Sequence, residues 1–203
     1  VNDKQVKKFV QMSLDNMINM ADTGAEKIAL CDAIMEKRGD RLPDSLAAWL
    51  LHKKAESTLD PSEQIAIYDE MLARFLPSAD DSAFDLAVIA ALDKANLIYD
   101  DKDELIRLYD IAIDAFLKTP QRTRYYLFDQ AIIRKAELIG DPSLPISLYD
   151  QVIAGNVTEE SVVQARSMRL RLLKDDQERL EACDEFISAH ENSKNDFVQL
   201  MVA

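Results

Sequence analysis

The side chains able to do chemistry are few and scattered. His52 and His190 fall in different segments, and neither begins an HExxH or comparable metal-ligating pattern, which needs ligands spaced to share one face. A lone histidine in that setting is expected to be a surface or half-buried side chain rather than a ligand. "DTGAEK" contains one glycine and follows a helix-like run, so it offers no phosphate-cradling loop. Carboxylates are numerous but evenly spread, and nothing isolates a pair for general acid–base work. These residues imply no catalytic site, no metal and no cofactor, and the chain is expected not to be an enzyme.

Two charge patterns are sharper. The first is an aspartate that recurs inside segments of helical character: Asp32, Asp69, Asp110, Asp150 and Asp184. Aspartate is a poor interior helix residue, because its short side chain competes for nearby backbone groups. The second is a run of cations in an otherwise acidic chain: Arg122, Arg124, Arg134 and Lys135, then Arg166, Arg169, Arg171 and Lys174. With Tyr125 and Tyr126 at its edge, this run could form a basic strip that cradles an acidic or carboxylate-bearing segment, since arginine forks grip carboxylates bidentately. Alternatively, these cations neutralise the acidic helices beside them.

The elements that carry both patterns are repeats. Capping positions at Thr23, Asp60, Asp101, Asp141 and Asp175 stand 37, 41, 40 and 34 residues apart, and four of the five have Glu three residues later: Glu26, Glu63, Glu104 and Glu178. That is the capping-box spacing, and Pro61 and Pro142 would occupy the first helical position. Apolar columns follow: Ile28, Ile65, Ile106, Ile146 and Leu180 five residues after the caps; Cys31, Tyr68, Tyr109, Tyr149 and Cys183 eight after; Met35, Leu72, Ile113, Ile153 and Ile187 twelve after. Offsets of 5, 8 and 12 make one helical face. The repeated Asp, nine after each cap, falls at the edge of that face, where it is expected to bind a cation or a backbone amide between repeats. Cys31 and Cys183 share a column four units apart. At about 10 Å per stacked unit they lie roughly 40 Å apart, well beyond the ~7 Å a disulfide spans.

A second helix precedes each cap. "SLAAWLLHKKAESTL", "AFDLAVIAALDKANLIY", "RYYLFDQAIIRKAELI" and "SVVQARSMRLRLL" are apolar-rich, with Lys54-Ala55-Glu56, Lys94-Ala95-Asn96, Lys135-Ala136-Glu137 and Arg169-Leu170-Arg171 in register. The unit is therefore helix A, turn, helix B, with boundaries near 1–40, 41–78, 79–119, 120–156 and 157–192 and a partial unit at 193–203. Residues 1–203 read as a single array of about five hairpins plus the first helix of a sixth, all-α in class. Such a hairpin cannot bury its apolar face alone, so neighbours must stack. Val1 at the start and the uncapped run "NDFVQLMVA" at the end lead us to expect a piece of a longer protein.

Composition agrees with an all-helical class. Of 203 residues 48% are hydrophobic, with 4 Gly and 6 Pro, and no apolar run reaches the ~20 residues that cross a bilayer. The net charge of −13 argues against binding a nucleic-acid backbone or an anionic membrane surface.

Paired antiparallel helices, a small residue in helix A (Ala55, Ala95, Ala136) and bulky apolar residues in helix B resemble the tetratricopeptide-repeat superfamily across nearly the whole chain. Half-a-tetratricopeptide and other related helical-repeat types fit the same features. The period varies where that family holds 34, and the Trp-x2-Leu-Gly-x2-Tyr pattern is absent. The resemblance implies a right-handed superhelical solenoid whose concave wall, built from A helices, holds a peptide or partner protein without catalysis. Mapped through the small position, the wall would present Trp49, His52 and Glu56; Asn96; Tyr126, Gln130, Arg134 and Glu137; and Gln164, Arg169 and Arg171, although Trp49, the only Trp, is expected to pack in the core before it serves as a recognition anchor. Asp15 and Asn19 stand where chaperone-binding members carry their carboxylate clamp, and Asp15 has the wrong sign, so chaperone-tail binding is not expected. The alternative functions are a structural spacer or self-association module of a larger protein and, behind these, a helical-repeat enzyme or sensor. The compartment stays open between cytoplasm, slightly favoured, and periplasm.

Overall fold

The computed structural model describes residues 3–155, 157–191 and 193. Among the described residues ten α-helices run in chain order: α1 (Asp3–Asn19), α2 (Gly24–Arg38), α3 (Asp44–Ser57), α4 (Pro61–Phe75), α5 (Asp81–Ala95), α6 (Lys102–Lys118), α7 (Tyr125–Ile139), α8 (Leu144–Ala154), α9 (Glu159–Leu172) and α10 (Asp176–His190), with a short 3-10 turn at Gly39–Arg41. Among the described residues there is no strand. Odd-numbered helices are the A helices of the sequence pattern and even-numbered ones the B helices. "NDFVQLMVA" lies outside the described residues.

The capping side chains explain where the B helices begin. Thr23 Oγ1 accepts the Glu26 amide at 3.2 Å while Glu26 Oε2 accepts the Thr23 amide at 3.1 Å, a complete capping box. Asp60 accepts the Ser62 amide at 2.7 Å, Asp101 the Glu104 amide at 3.0 Å, and Asp175 the Glu178 amide at 2.9 Å. The expectation for Asp141 needs correction. It accepts the Ser143 amide and hydroxyl at 2.9 and 2.6 Å, and α8 starts only at Leu144. Pro142 therefore stands in the turn, and Pro145 lies in the first helical turn instead. The cause is upstream: α7 ends on Gly140 at φ 73°, a left-handed residue, and the chain needs a further turn to reverse.

The chain divides into two compact units, Val1–Ala112 and Ile113–Ala203. In the first, α3 packs against α2, α4 and α5. Ala47, Ala48, Ala55, Ala83, Ala87 and Ala90 are all at most 1% exposed, and their small side chains let helix backbones approach closely around Leu51, Met71 and Phe75. A neighbouring cluster gathers Ile18, Cys31, Trp49 and Leu50. In the second unit aromatic rings fill the core. Phe116 stacks on Phe128 at 4.8 Å, Tyr125 meets Phe116 edge-on at 5.5 Å, and Tyr149 meets Phe128 at 6.4 Å. Val163 and Phe186 form a smaller cluster with Leu170.

The apolar column five residues after the caps keeps one environment through four hairpins, whereas the columns eight and twelve after mix buried and half-buried residues. Ile28, Ile65, Ile106 and Ile146 are all half-buried, whereas Leu180 and Ile187 of the last B helix are 62% and 45% exposed. No helix among the described residues is long and apolar enough to cross a membrane.

Gly24 permits a contact that no other residue could make. A Cβ there would lie 2.6 Å from the Ser57 carbonyl oxygen, where the end of α3 crosses the start of α2. Because the obstacle is backbone, Gly24→Ala is expected to cost about 1–3 kcal/mol, read as a lower midpoint in urea denaturation.

Candidate functional site

The recurring Asp of the B helices binds a cation from the following A helix. Lys54 Nζ donates to Asp32 Oδ1, Lys94 Nζ to Asp69 Oδ1 and Arg169 Nε to Asp150 Oδ1, each at 2.6 Å. The same register thus ties α2 to α3, α4 to α5 and α8 to α9. The joint at Lys94 is the most enclosed, with a side chain 7% exposed, and it is doubled: Nζ also donates to Glu104 Oε1 at 2.7 Å. Glu104 in turn accepts two bonds from Arg107, at 2.5 and 2.6 Å. Glu104 does not return to the Asp101 amide as a capping box would require, because these cations claim both its oxygens. Arg107 first, then Lys94, hold the Glu104 carboxyl down to about 2. Burial works against the Lys94 charge, but the hydrogen bonds to Asp69 and Glu104 outweigh it and raise its pKa.

The sequence-predicted wall residues of the first unit gather on α3 and α5. His52 Nε2 lies 3.2 Å from Asp93 Oδ2, and His52 Nδ1 lies 3.6 Å from Glu56 Oε1. Lys53 Nζ donates to the other Glu56 oxygen at 2.9 Å. Beneath them Tyr68 is buried, and burial, with the fields of Asp93 and Glu56, pushes its hydroxyl up to about 12. Asn96 is exposed at the C-terminal cap of α5, one turn beyond Asp93. Trp49 takes its core reading and not the wall position. It is 7% exposed and belongs to the core, because residues 47–51 are enclosed by α2, α4 and α5. Only its edge borders a shallow hollow with Gln11, Met12, Asp15 and Lys53. Asp93 was not singled out by the sequence. No repeat marks it, and only the approach of α5 to α3 makes it His52's partner.

In the second unit Tyr126, Gln130, Arg134 and Glu137 run along one exposed stripe of α7, with Arg134 Nη1 3.8 Å from Glu137 Oε2. Tyr125 does not edge a basic strip. Its ring lies against Phe116 and Phe128, and burial drives its hydroxyl pKa strongly upward. The basic strip itself divides. Arg169 faces α8 and Asp150, Arg166 Nη1 donates to the Glu185 carbonyl at 3.3 Å, and Arg171 lies elsewhere, with Met168 Sδ 3.8 Å from its Nη1. At about 100° per residue, positions 169 and 171 point to opposite sides of α9. Of the residues expected on α9, exposed Arg171 and half-buried Gln164, seven apart, share a face, while Arg169 belongs to the joint. The hollow of about 120 Å³ beside Arg166 and Arg169 already contains Asp150, so an incoming carboxylate would have to displace it.

Among the described residues no three His, Cys, Asp or Glu side chains are grouped to hold a metal ion. Cys31 is buried, and burial, then the neighbouring Asp32 charge, push its thiol up to about 11. Tyr149 donates to Asp129 at 2.5 Å within the α7–α8 hairpin. His190 is buried beside Phe186, with Glu159 3.5 Å from its Nδ1.

No family model matches this chain, and no curated protein or solved structure matches it either.

Four outcomes follow from this geometry. Lys94→Ala removes the shared cation but leaves Asp69 half exposed and Glu104 still held by Arg107, so it should cost about 1–2 kcal/mol in urea denaturation, more than Lys54→Ala. Lys54→Ala, at a joint 26% and 49% exposed on its two sides, should cost less than about 1 kcal/mol. Glu104's folded pKa near 2 lies below its ordinary 4.5, so its contribution is complete above about pH 4.5 and is lost as pH falls toward 2. Glu104→Gln should flatten the stability–pH curve in that window. With its thiol near 11, Cys31 should resist maleimide at pH 8, where roughly one in a thousand is thiolate, while half-buried Cys183 labels.

Proposed function

We propose that this chain is a tetratricopeptide-repeat-like superhelical module that binds a peptide or partner protein through its A helices and carries no catalysis of its own. One observation carries the reading. Three consecutive A-helix positions have the same environments in successive hairpins. The first holds the joint cation (Lys54, Lys94, Arg169), and the second is Ala55, Ala95 and Ala136, at 0%, 5% and 7% exposure. The third is exposed every time, as Glu56, Asn96, Glu137 and Arg171. The first position is a cation in all four triplets and the second is alanine except at half-buried Leu170, while the third varies in chemistry at constant exposure. That is the arrangement of a fixed frame presenting interchangeable contacts.

The exposed faces so defined are polar, with His52 and Asp93 alongside the variable position in the first unit and Gln130 and Arg134 alongside it in the second. Such residues set orientation and selectivity more than raw affinity. Their charges suit a partner segment of mixed sign, its acidic groups meeting Arg134 and Arg171.

The test is a comparative pull-down read by mass spectrometry. Wild-type chain is set against a variant carrying Glu56→Ala, Asn96→Ala, Glu137→Ala and Arg171→Ala, which removes exposed side chains and should leave the helical circular-dichroism signal intact. Proteins enriched by the wild type should be lost from the variant. Equal enrichment on both would show that the wall is not the binding face.

A further inference from the structure

The first hairpin carries a second, chemically distinct surface. Between α1, α2 and the start of α3 lies an open cavity of about 500 Å³, walled by Val10, Leu14, Met17, Ile34, Leu42 and Leu46. Its rim bears Lys37 and Arg38, from the last turn of α2, and Arg41, from the following 3-10 turn. All three cations are exposed, and none makes an ion pair among the described residues. The joint cations Lys54, Lys94 and Arg169 are, by contrast, all matched to carboxylates. Interaction with the C-terminal dipole of α2 accounts for Lys37 and Arg38. It does not account for Arg41 beyond the helix, or for the apolar hollow that the three surround.

We propose that this groove takes an acidic amphipathic segment of a partner protein, its apolar side chains seated in the cavity and its carboxylates against Lys37, Arg38 and Arg41. Three unmatched positive charges around an apolar floor, in a chain of net charge −13, specify an occupant that is apolar on one side and negative at its margin. The openness of the groove selects a polypeptide over a small amphiphile. Val10 and Met17 at its edge remain 40% and 43% exposed, whereas a small-ligand site encloses most of its ligand. A helix laid into a groove needs cover on one face only. Methionine at the margin gives an adaptable apolar contact. The inference rests on the reading that this module binds polypeptides, but it assigns a face separate from the α3–α5 wall.

The probe is a fluorescein-labelled peptide of about 18 residues, five helical turns, with Leu on one face and Glu on the other. A matched peptide with Lys in place of Glu is the control, and anisotropy gives the affinities. The acidic peptide should bind and the basic one should not, and binding should weaken as salt rises from about 0.05 to 0.3 M. The triple variant Lys37→Glu, Arg38→Glu, Arg41→Glu should weaken it at least tenfold, and Val10→Asp with Met17→Asp likewise. The cation variant alters only exposed, unpaired side chains, so it stays informative if the apolar variant fails to fold. Failure of the acidic peptide to bind, equal binding of both peptides, or affinity unchanged by the cation variant would overturn the proposal. So would light scattering that shows a dimer which Val10→Asp with Met17→Asp dissociates, since the groove would then hold a second copy. Binding lost instead on Glu56→Ala with Asn96→Ala would sink this inference and leave the proposed wall standing.

Discussion

At Lys94 an ammonium 7% exposed meets Asp69 from the preceding hairpin and Glu104 from its own. Apolar burial drives one amphipathic hairpin against the next, but it is non-directional and would tolerate a slide of one helical turn. The ionic joint does not. A buried ammonium away from its carboxylates carries a desolvation cost of several kcal/mol, so the only acceptable register is the one that brings Asp and cation within hydrogen-bond reach. Because the pair adds little net stability over apolar residues of similar volume, its role is to choose among packings that hydrophobicity leaves nearly equal. Lys54 and Arg169 make the same bond in wetter surroundings, at 26% and 29% exposure, where it selects register more weakly.

The joint also dictates what its neighbours do. Successive helix residues turn by about 100°, so fixing the cation toward the previous B helix rotates the next residue into the contact between helices and the one after it out to solvent. The middle position must then be small, and three of its four occupants are alanine. The third must be tolerant of solvent, and it is free to vary. A single electrostatic constraint thus partitions three adjacent residues into register, packing and exposure to solvent. It also disposes of the apparent basic strip on α9: Arg169 and Arg171 are neighbours in the sequence but occupy the first and third of these roles.

Much of this was legible before any coordinates. The caps, the apolar columns and the aspartate nine residues after each cap are periodic, and periodicity survives in one dimension. Thr23, Asp60, Asp101 and Asp175 cap where the spacing places them, and the aspartates Asp32, Asp69 and Asp150 find the cations that the Lys-Ala pattern offered. What escaped the sequence is what arises once only. Gly24 is required by a backbone crossing with Ser57, and Asp93 matters through its distance to His52. Neither leaves a repeating trace. The two readings of Trp49, core and wall, are separated only by packing, because helical angle cannot tell a helix with one covered face from α3, which is covered by three neighbours. Pro142 was misplaced because a left-handed Gly140 postpones the helix, and backbone handedness at one residue is not a pattern.

The direction of the pKa shifts bears on the proposed absence of catalysis. A general acid or base works best with a pKa near the working pH, which sites achieve by raising carboxyls or lowering amines and thiols toward neutrality. Here the shifted groups move the other way: Glu104 down to about 2, Cys31 up to about 11 and Tyr68 up to about 12. Each is locked into the protonation state it would hold at neutral pH anyway, the carboxyl by cations and the thiol and phenol chiefly by burial. Such groups stabilise a frame and exchange no protons under ordinary conditions. The chemical variety of the described A helices instead lies in exposed side chains whose charge differs from hairpin to hairpin: negative at Glu56 and Glu137, neutral at Asn96 and positive at Arg171. On the proposed reading, partners would be told apart by sign and spacing at these positions, and exchanging those residues would leave the joints intact because none of the four belongs to one.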